Sequence, residues 1–187
     1  MSIQLYTKSN PVLLDRVIQD LQKAFIDNLS WLNYAFGKVA KLNQIINERE
    51  YAYPAIYLEN AEYQSVLPDD KLGNFSFFEV DDPQTFVSYL PQKSGLRVKV
   101  AIIFWYSLAT VYNDKKQLYT EEVKDSVLRL INTPGLLKSG SIVIERLFEK
   151  AENIYKGYSL KQVDSQYLMY PYAGMRIECE IKIHELC

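Results

Sequence analysis

The residues whose types could do chemistry are few, and their spacing works against it. General acid–base work near neutral pH most often uses histidine, and this chain has one, His184. The nearest nucleophile is Cys179, five positions earlier in the same run. On a β-strand, five positions give opposite parity, so the two side chains leave opposite faces and cannot form a nucleophile–base pair. With Cys187 as the only other cysteine, there is neither a disulfide framework nor the paired ligand spacing of a tetrahedral zinc site. Asp69-Asp70 and Asp81-Asp82 offer carboxylate oxygens to a hard cation, but each doublet adjoins a proline and reads as a side-chain-capped turn. Among 7 glycines no phosphate-cradling loop, Walker pattern or Gly-x-Ser-x-Gly elbow occurs. Lys115-Lys116 and Lys161 are too sparse for a phosphate-tracking groove. The expectation is a chain with no catalytic residue, no cofactor and no metal.

The elements that would position a site are easier to read. From Leu96, the alternation Leu96, Val98, Val100, Ile102, Phe104, Tyr106 puts six apolar side chains on one face of a strand. From Met175, the series Met175, Ile177, Cys179, Ile181, Ile183 does so again, with Arg176, Glu178, Glu180, Lys182 and His184 opposite. A period of two with charges on one side predicts a sheet covered on one face. On the first strand the second face turns from Arg97 and Lys99 to Ala101, Ile103 and Trp105, which predicts burial on both sides for its later half.

Apolar residues at helical spacing, from Leu14 through Val17, Ile18, Leu21 and Phe25, predict a helix over 11–29, entered through Asn10 as cap and Pro11. Thr120 reads as the cap of a second helix, with Glu121 and Glu122 against its positive end and Asn132-Thr133-Pro134-Gly135 as its stop. The arms 34–46 and 51–58, parted by Asn47-Glu48-Arg49-Glu50, read as a hairpin. Pro54 directs the second arm to an edge. Phe75–Val80 and 142–148 read as further strands, with Glu145 to Tyr155 equally able to carry on as a helix. The predicted class is α+β, a mainly antiparallel sheet with two main helices packed on one face plus an extra N-terminal β-hairpin.

At 187 residues one domain, 1–187, is expected, large enough to bury roughly 70% of its unfolded surface without metal or disulfide. A formal net charge of -2 supplies no field for nucleic acid or an anionic membrane. No apolar run approaches the roughly 20 residues that cross a bilayer, and the first residues lack a leader's basic-then-apolar order. A cytoplasmic chain is the expectation. The unusual count is 15 tyrosines, against 8 phenylalanines and 2 tryptophans. Tyrosine joins a large apolar ring to a hydroxyl and is favoured where a surface becomes an interface. Tyr51, Tyr53, Tyr57, Tyr63, Tyr155, Tyr158, Tyr167, Tyr170 and Tyr172 are the expected contact residues.

Several stretches carry a resemblance: the amphipathic opening helix, Tyr53-Pro54-Ala55-Ile56-Tyr57, Leu67-Pro68-Asp69-Asp70-Lys71-Leu72-Gly73-Asn74-Phe75, and Tyr170-Pro171-Tyr172-Ala173-Gly174-Met175-Arg176 leading into an alternating strand. In element order the chain resembles the tail terminator and tail completion proteins at the neck of tailed bacteriophages and prophages. The resemblance implies a homo-oligomeric ring, commonly a hexamer, that caps the tail tube and joins it to the head without catalytic residues. Its implied partners are tail-tube and head-connector proteins, and its implied locations the host cytoplasm and the virion. The hairpin and the 59–95 region exceed the minimal family pattern. Two rival expectations stand beside it: a cytoplasmic adaptor binding a small molecule or peptide in a pocket under 59–95, and an enzyme built on a cleft of perturbed carboxylates or tyrosines.

Overall fold

The computed structural model describes residues 4–5, 8–58, 62–69, 71–90, 93–112 and 119–184. Asp70, Lys115, Lys116 and Cys187 lie outside these residues. In chain order the first elements are β1 (Gln4–Leu5), α1 (Leu14–Asn28), β2 (Tyr34–Lys38), β3 (Ala40–Ile46), β4 (Arg49–Tyr57), β5 (Tyr63–Ser65), β6 (Phe75–Val80) and β7 (Thr85–Leu90). They are followed by β8 (Lys93–Ser107), α2 (Leu108–Val111), α3 (Thr120–Ile131), β9 (Gly140–Phe148), α4 (Ala151–Ile154) and β10 (Tyr172–Ile183).

The two alternating runs are the centre of the molecule. β8 and β10 pair antiparallel over their full shared length, Tyr172 opposite Ser107 to Ile183 opposite Leu96. Around them the main sheet runs β1-β2-β6-β8-β10-β9, and β7 joins the start of β8 beyond the end of β6. The pairings β1–β2 and β2–β6 are parallel and the rest antiparallel. The fold is α+β, with α1 and α3 as the two main helices.

Both helices lie on the face carrying Val98, Val100, Ile102, Phe104 and Tyr106, where Leu14, Val17, Leu21 and Phe25 of α1 and Val123, Val127 and Ile131 of α3 complete one core. α1 begins at Leu14, three residues after the expected start at Pro11. Asn10 and Leu13 have positive φ (55° and 49°), so neither continues a helix, and no side chain caps the end. Val12 and Leu13 are left exposed. α3 begins at Thr120 itself, with Tyr119 in the capping position.

The sheet is covered on one face only over part of its area. Near the C-terminal end of β8, Ala101, Ile103 and Trp105 join Phe75 and Phe77 in a second core, closed by Ile56, Val66, Ile154 and Tyr155. The expectation that late β8 is buried on both sides therefore holds. The lower half keeps a charged face laced by Arg97–Glu180 at 3.3 Å, Lys182–Glu180 at 3.5 Å and Arg146–Glu178 at 2.8 Å.

Arg176 departs from the solvated face predicted for it. It is 4% exposed, forms ion pairs with Glu79 and with Glu178 (Nε–Oε1 3.2 Å), and donates through Nη1 to the Ile154 carbonyl. A buried guanidinium needs such partners, since an isolated ion in an apolar interior costs far more than folding supplies.

The cover over the second core is a separate sheet in the order β3-β4-β5. Its β3–β4 hairpin turns on Asn47 and Glu48, both at positive φ (50° and 62°), the two-residue loop whose twist matches paired strands. β4 is the middle strand, not the edge that Pro54 suggested. Counting from the turn, Pro54 faces Lys41 at a position that makes no hydrogen bond to β3. Its carbonyl instead accepts from Val66 N–H. The missing N–H thus costs no bond to β3, and the Val66 carbonyl on its other side accepts from the Tyr155 hydroxyl instead.

Gly174 shows how closely the layers approach. A Cβ there would lie 2.4 Å from Trp105 Cε3 and 2.7 Å from the Phe104 carbonyl oxygen. Gly174→Ala is expected to lower unfolding free energy by about 1–3 kcal/mol through forced displacement of the indole, read as a reduced urea midpoint with unchanged slope.

Candidate interaction surface

Six of the nine expected contact tyrosines lie on β4, β5 and the first part of the connection from β9 to β10, and these segments touch through Ser159 N–H donating to the Ala52 carbonyl. Tyr57 and Tyr63 are register partners across β4 and β5, with ring centroids 5.2 Å apart in a T-shaped pair. They are 58% and 49% exposed. Two such rings held against each other lose little further freedom on contact with a partner. Tyr170 is 70% exposed at the end of the connection, beside Met169 at 63%.

Five others are half-buried supports. Tyr51 lies 6.0 Å under Lys161 Nζ and Tyr158 lies 5.8 Å under Lys41 Nζ. Tyr167 and Tyr172 form another T-shaped pair at 5.2 Å. Tyr53 sits half-buried on β4. Tyr155 must be removed from the surface set. It is 1% exposed, its ring packs on Trp105 and Phe77, and its hydroxyl donates to the Val66 carbonyl at 3.4 Å. Burial, then the charge of Asp69, raises its pKa well above the ordinary phenolic value. The eight remaining rings are exposed or half-exposed. Ile45 at the hairpin tip, Phe86 on β7 and Val143 on β9 are exposed apolar side chains that the residue reading did not single out. The Thr85–Leu90 run carried strand-forming residues that could have flagged β7.

The remaining chemical candidates stay apart. Cys179 is buried against the helices and its thiol donates to the Val100 carbonyl, while His184 is exposed with Nε2 3.4 Å from Ser141 Oγ. Asp69 Oδ1 accepts from Lys71 and Leu72 N–H, the capped turn expected of it. Asp81 and Asp82 are exposed beside a cis Asp82-Pro83 bond. Among the described residues no three His, Cys, Asp or Glu side chains converge as metal ligands, and no helix is long and apolar enough to cross a membrane. Lys161 lies exposed over Tyr51.

An open cleft of about 720 Å³ lies between α1 and the ends of β2 and β4, next to Tyr57 and Leu58. Asp15 forms ion pairs there with Lys38 at 2.5 Å and Lys8 at 2.9 Å. Burial opposes its charge, but hydrogen bonds from Lys38 and Lys8 outweigh that and hold its carboxyl below the usual range. Gln19 Oε1 is buried nearby without a hydrogen-bond partner.

Burial raises the Cys179 thiol to about 12, with Glu145 and Glu178 adding to it, and raises the Tyr112 hydroxyl to about 12, with Glu122 adding to it. Both groups keep their protons longer in the folded chain than in the unfolded one. Their contribution to stability is therefore complete below about pH 9 and is lost as pH rises from there towards about 12. Urea midpoints are expected to be level near neutrality and to fall on this alkaline limb. The same burial predicts that Cys179 reacts with a maleimide only after unfolding, as peptide mass mapping of native and denatured samples would show.

No protein-family model matches this chain, and no curated protein matches it significantly.

Proposed function

We propose that the chain is a non-enzymatic assembly subunit, a tail terminator or neck protein of a tailed bacteriophage or prophage, which closes into a ring, caps the tail tube and joins it to the head. The observation that carries this reading is the exposure of large side chains at two places, Tyr57 paired with Tyr63 across β4 and β5 and Tyr170 beside Met169 at the end of the connection into β10. Aromatic and methionine side chains are enriched at protein–protein interfaces, and exposed large apolar groups that cluster mark such sites. The element order supports the same reading: an opening amphipathic helix, a long strand and helix, and a closing alternating strand after Tyr170-Pro171-Tyr172-Ala173-Gly174. In this reading the chain occupies the host cytoplasm before assembly and the virion afterwards. Deleting its gene from the phage or prophage is expected to leave heads and tails separate in the induced lysate by electron microscopy. Normal numbers of joined, infectious particles would contradict the reading.

A second reading, a cytoplasmic ligand- or peptide-binding adaptor, is favoured by the cleft beside Asp15, where polar groups from α1 and β2 meet the apolar Ile56 and Tyr57. It predicts a thermal shift with a small-molecule or peptide library that Asp15→Ala abolishes.

A further inference from the structure

One end of the main sheet has two unlike edges. Phe86 on β7 pairs with Leu96 on β8, Leu96 with Ile183 on β10, and Ile183 with Gly140 on β9. These four residues form one row across the sheet, so β7 and β9 are its outer strands at the same level, about 14 Å apart at the usual strand spacing.

The β7 edge is acidic and apolar. Asp81 and Asp82 are exposed just before it beside Arg97 and Lys99, which pair with Glu180 and Glu145; among the described residues neither aspartate is in an ion pair, and Phe86 is 75% exposed. The β9 edge is basic and apolar. A notch of about 530 Å³ at the start of β9 is lined by Arg16, Lys138 and His184 together with Val12 and Leu13, which are 61% and 46% exposed. Neither Arg16 nor Lys138 enters an ion pair among the described residues. Arg16 Nε reaches only the Pro11 carbonyl at 3.4 Å, and the nearby Asp20 carboxylate accepts from the Lys138 backbone N–H.

Two unlike patches on opposite edges make a heterologous contact, which repeats around a ring when its rotation closes. Unpaired outer strands supply the backbone groups for it, and complementary charge fixes partner and register. Resting on the ring reading above, we infer that a second copy of this chain is the occupant of both edges, with the Asp81–Asp82–Phe86 edge of one copy docked against the Arg16–Lys138–Val12–Leu13 notch of the next. Charge complementarity selects this occupant: among the described residues one edge presents two carboxylates outside any ion pair and the other two cations outside any ion pair, and the chain's near-neutral total leaves no general attraction to a charged polymer.

The test is a charge exchange read by sedimentation velocity over a dilution series of the full chain. The wild type is expected to associate, and more weakly as salt is raised. Asp81→Lys with Asp82→Lys, and separately Arg16→Glu with Lys138→Glu, are each expected to weaken self-association roughly 100-fold by setting like charges opposite one another. An equimolar mixture of the two variants restores complementary pairs at every contact and is expected to re-associate, which also shows that both are folded. Phe86→Ala, with no charge change, is expected to weaken association at least about tenfold. Variants that associate like the wild type, or a mixture that does not recover, would overturn this inference and leave the ring reading standing. A wild-type chain that is a single copy at every concentration, alone and with tail tubes, would overturn both.

Discussion

An Arg176→Ala variant unfolds with about 3–5 kcal/mol less stability than the wild-type chain, the range expected when one member of a buried ion pair is removed. The loss comes less from the missing attraction than from what remains. Glu79 and Glu178 stay in place with only 18% and 15% of their side chains exposed, and among the described residues Glu178 falls back on the ion pair with Arg146. Glu79 keeps the hydroxyl of Tyr158, whose pKa burial and that carboxylate together raise. Arg176 also holds the Ile154 carbonyl, so its removal loosens the connection from β9 to β10 that carries Tyr158, Tyr167 and Tyr170. Urea denaturation of the single variant and of Arg176→Met with Glu79→Leu separates these effects. The double variant is expected to recover most of the loss, because an apolar pair of similar volume leaves no buried charge behind. An Arg176→Ala midpoint equal to that of the wild type would mean that the network contributes nothing.

Replacing Tyr57, Tyr63 and Tyr170 together by alanine is expected to abolish capture by tail tubes while leaving folding and self-association intact. Each ring is exposed, so its loss opens no core cavity and changes stability within about 0.5 kcal/mol. At an interface the same rings act as anchors, each worth on the order of 2 kcal/mol, and three together lower tube affinity by about 1000-fold or more. Co-sedimentation of the chain with purified tubes reads this directly, with Tyr155→Phe as the comparison. That variant lacks only a buried hydroxyl and should bind tubes like the wild type. Equal capture of the triple variant would remove the aromatic surface from the account.

The helices, β6, the start of the closing run and the two-face burial of late β8 are legible in the residues because each is fixed by local periodicity. What was not legible depends on partners distant in the chain. The burial of Arg176 is decided by Glu79, 97 positions away, and a charged residue on a strand gives no sign of such a partner. Pro54 in a middle strand is tolerated through a pairing register set by the Asn47–Glu48 turn, not through edge placement. Tyr155 differs from Tyr158 only by where the chain bends after α4, which composition does not express. The acidic and basic edges escaped notice because Phe86 and Gly140 share a level only through the row joining β7, β8, β10 and β9. In the sequence Asp81-Asp82 reads as a turn and Lys138 as a lone charge.

The mass of the particle the chain forms, measured by mass photometry on the purified protein and on protein eluted from tail tubes, tests assembly most directly. A discrete multiple of the 21.8 kDa chain, with a closed ring in electron micrographs, is the predicted result. A 21.8 kDa species under both conditions would contradict it.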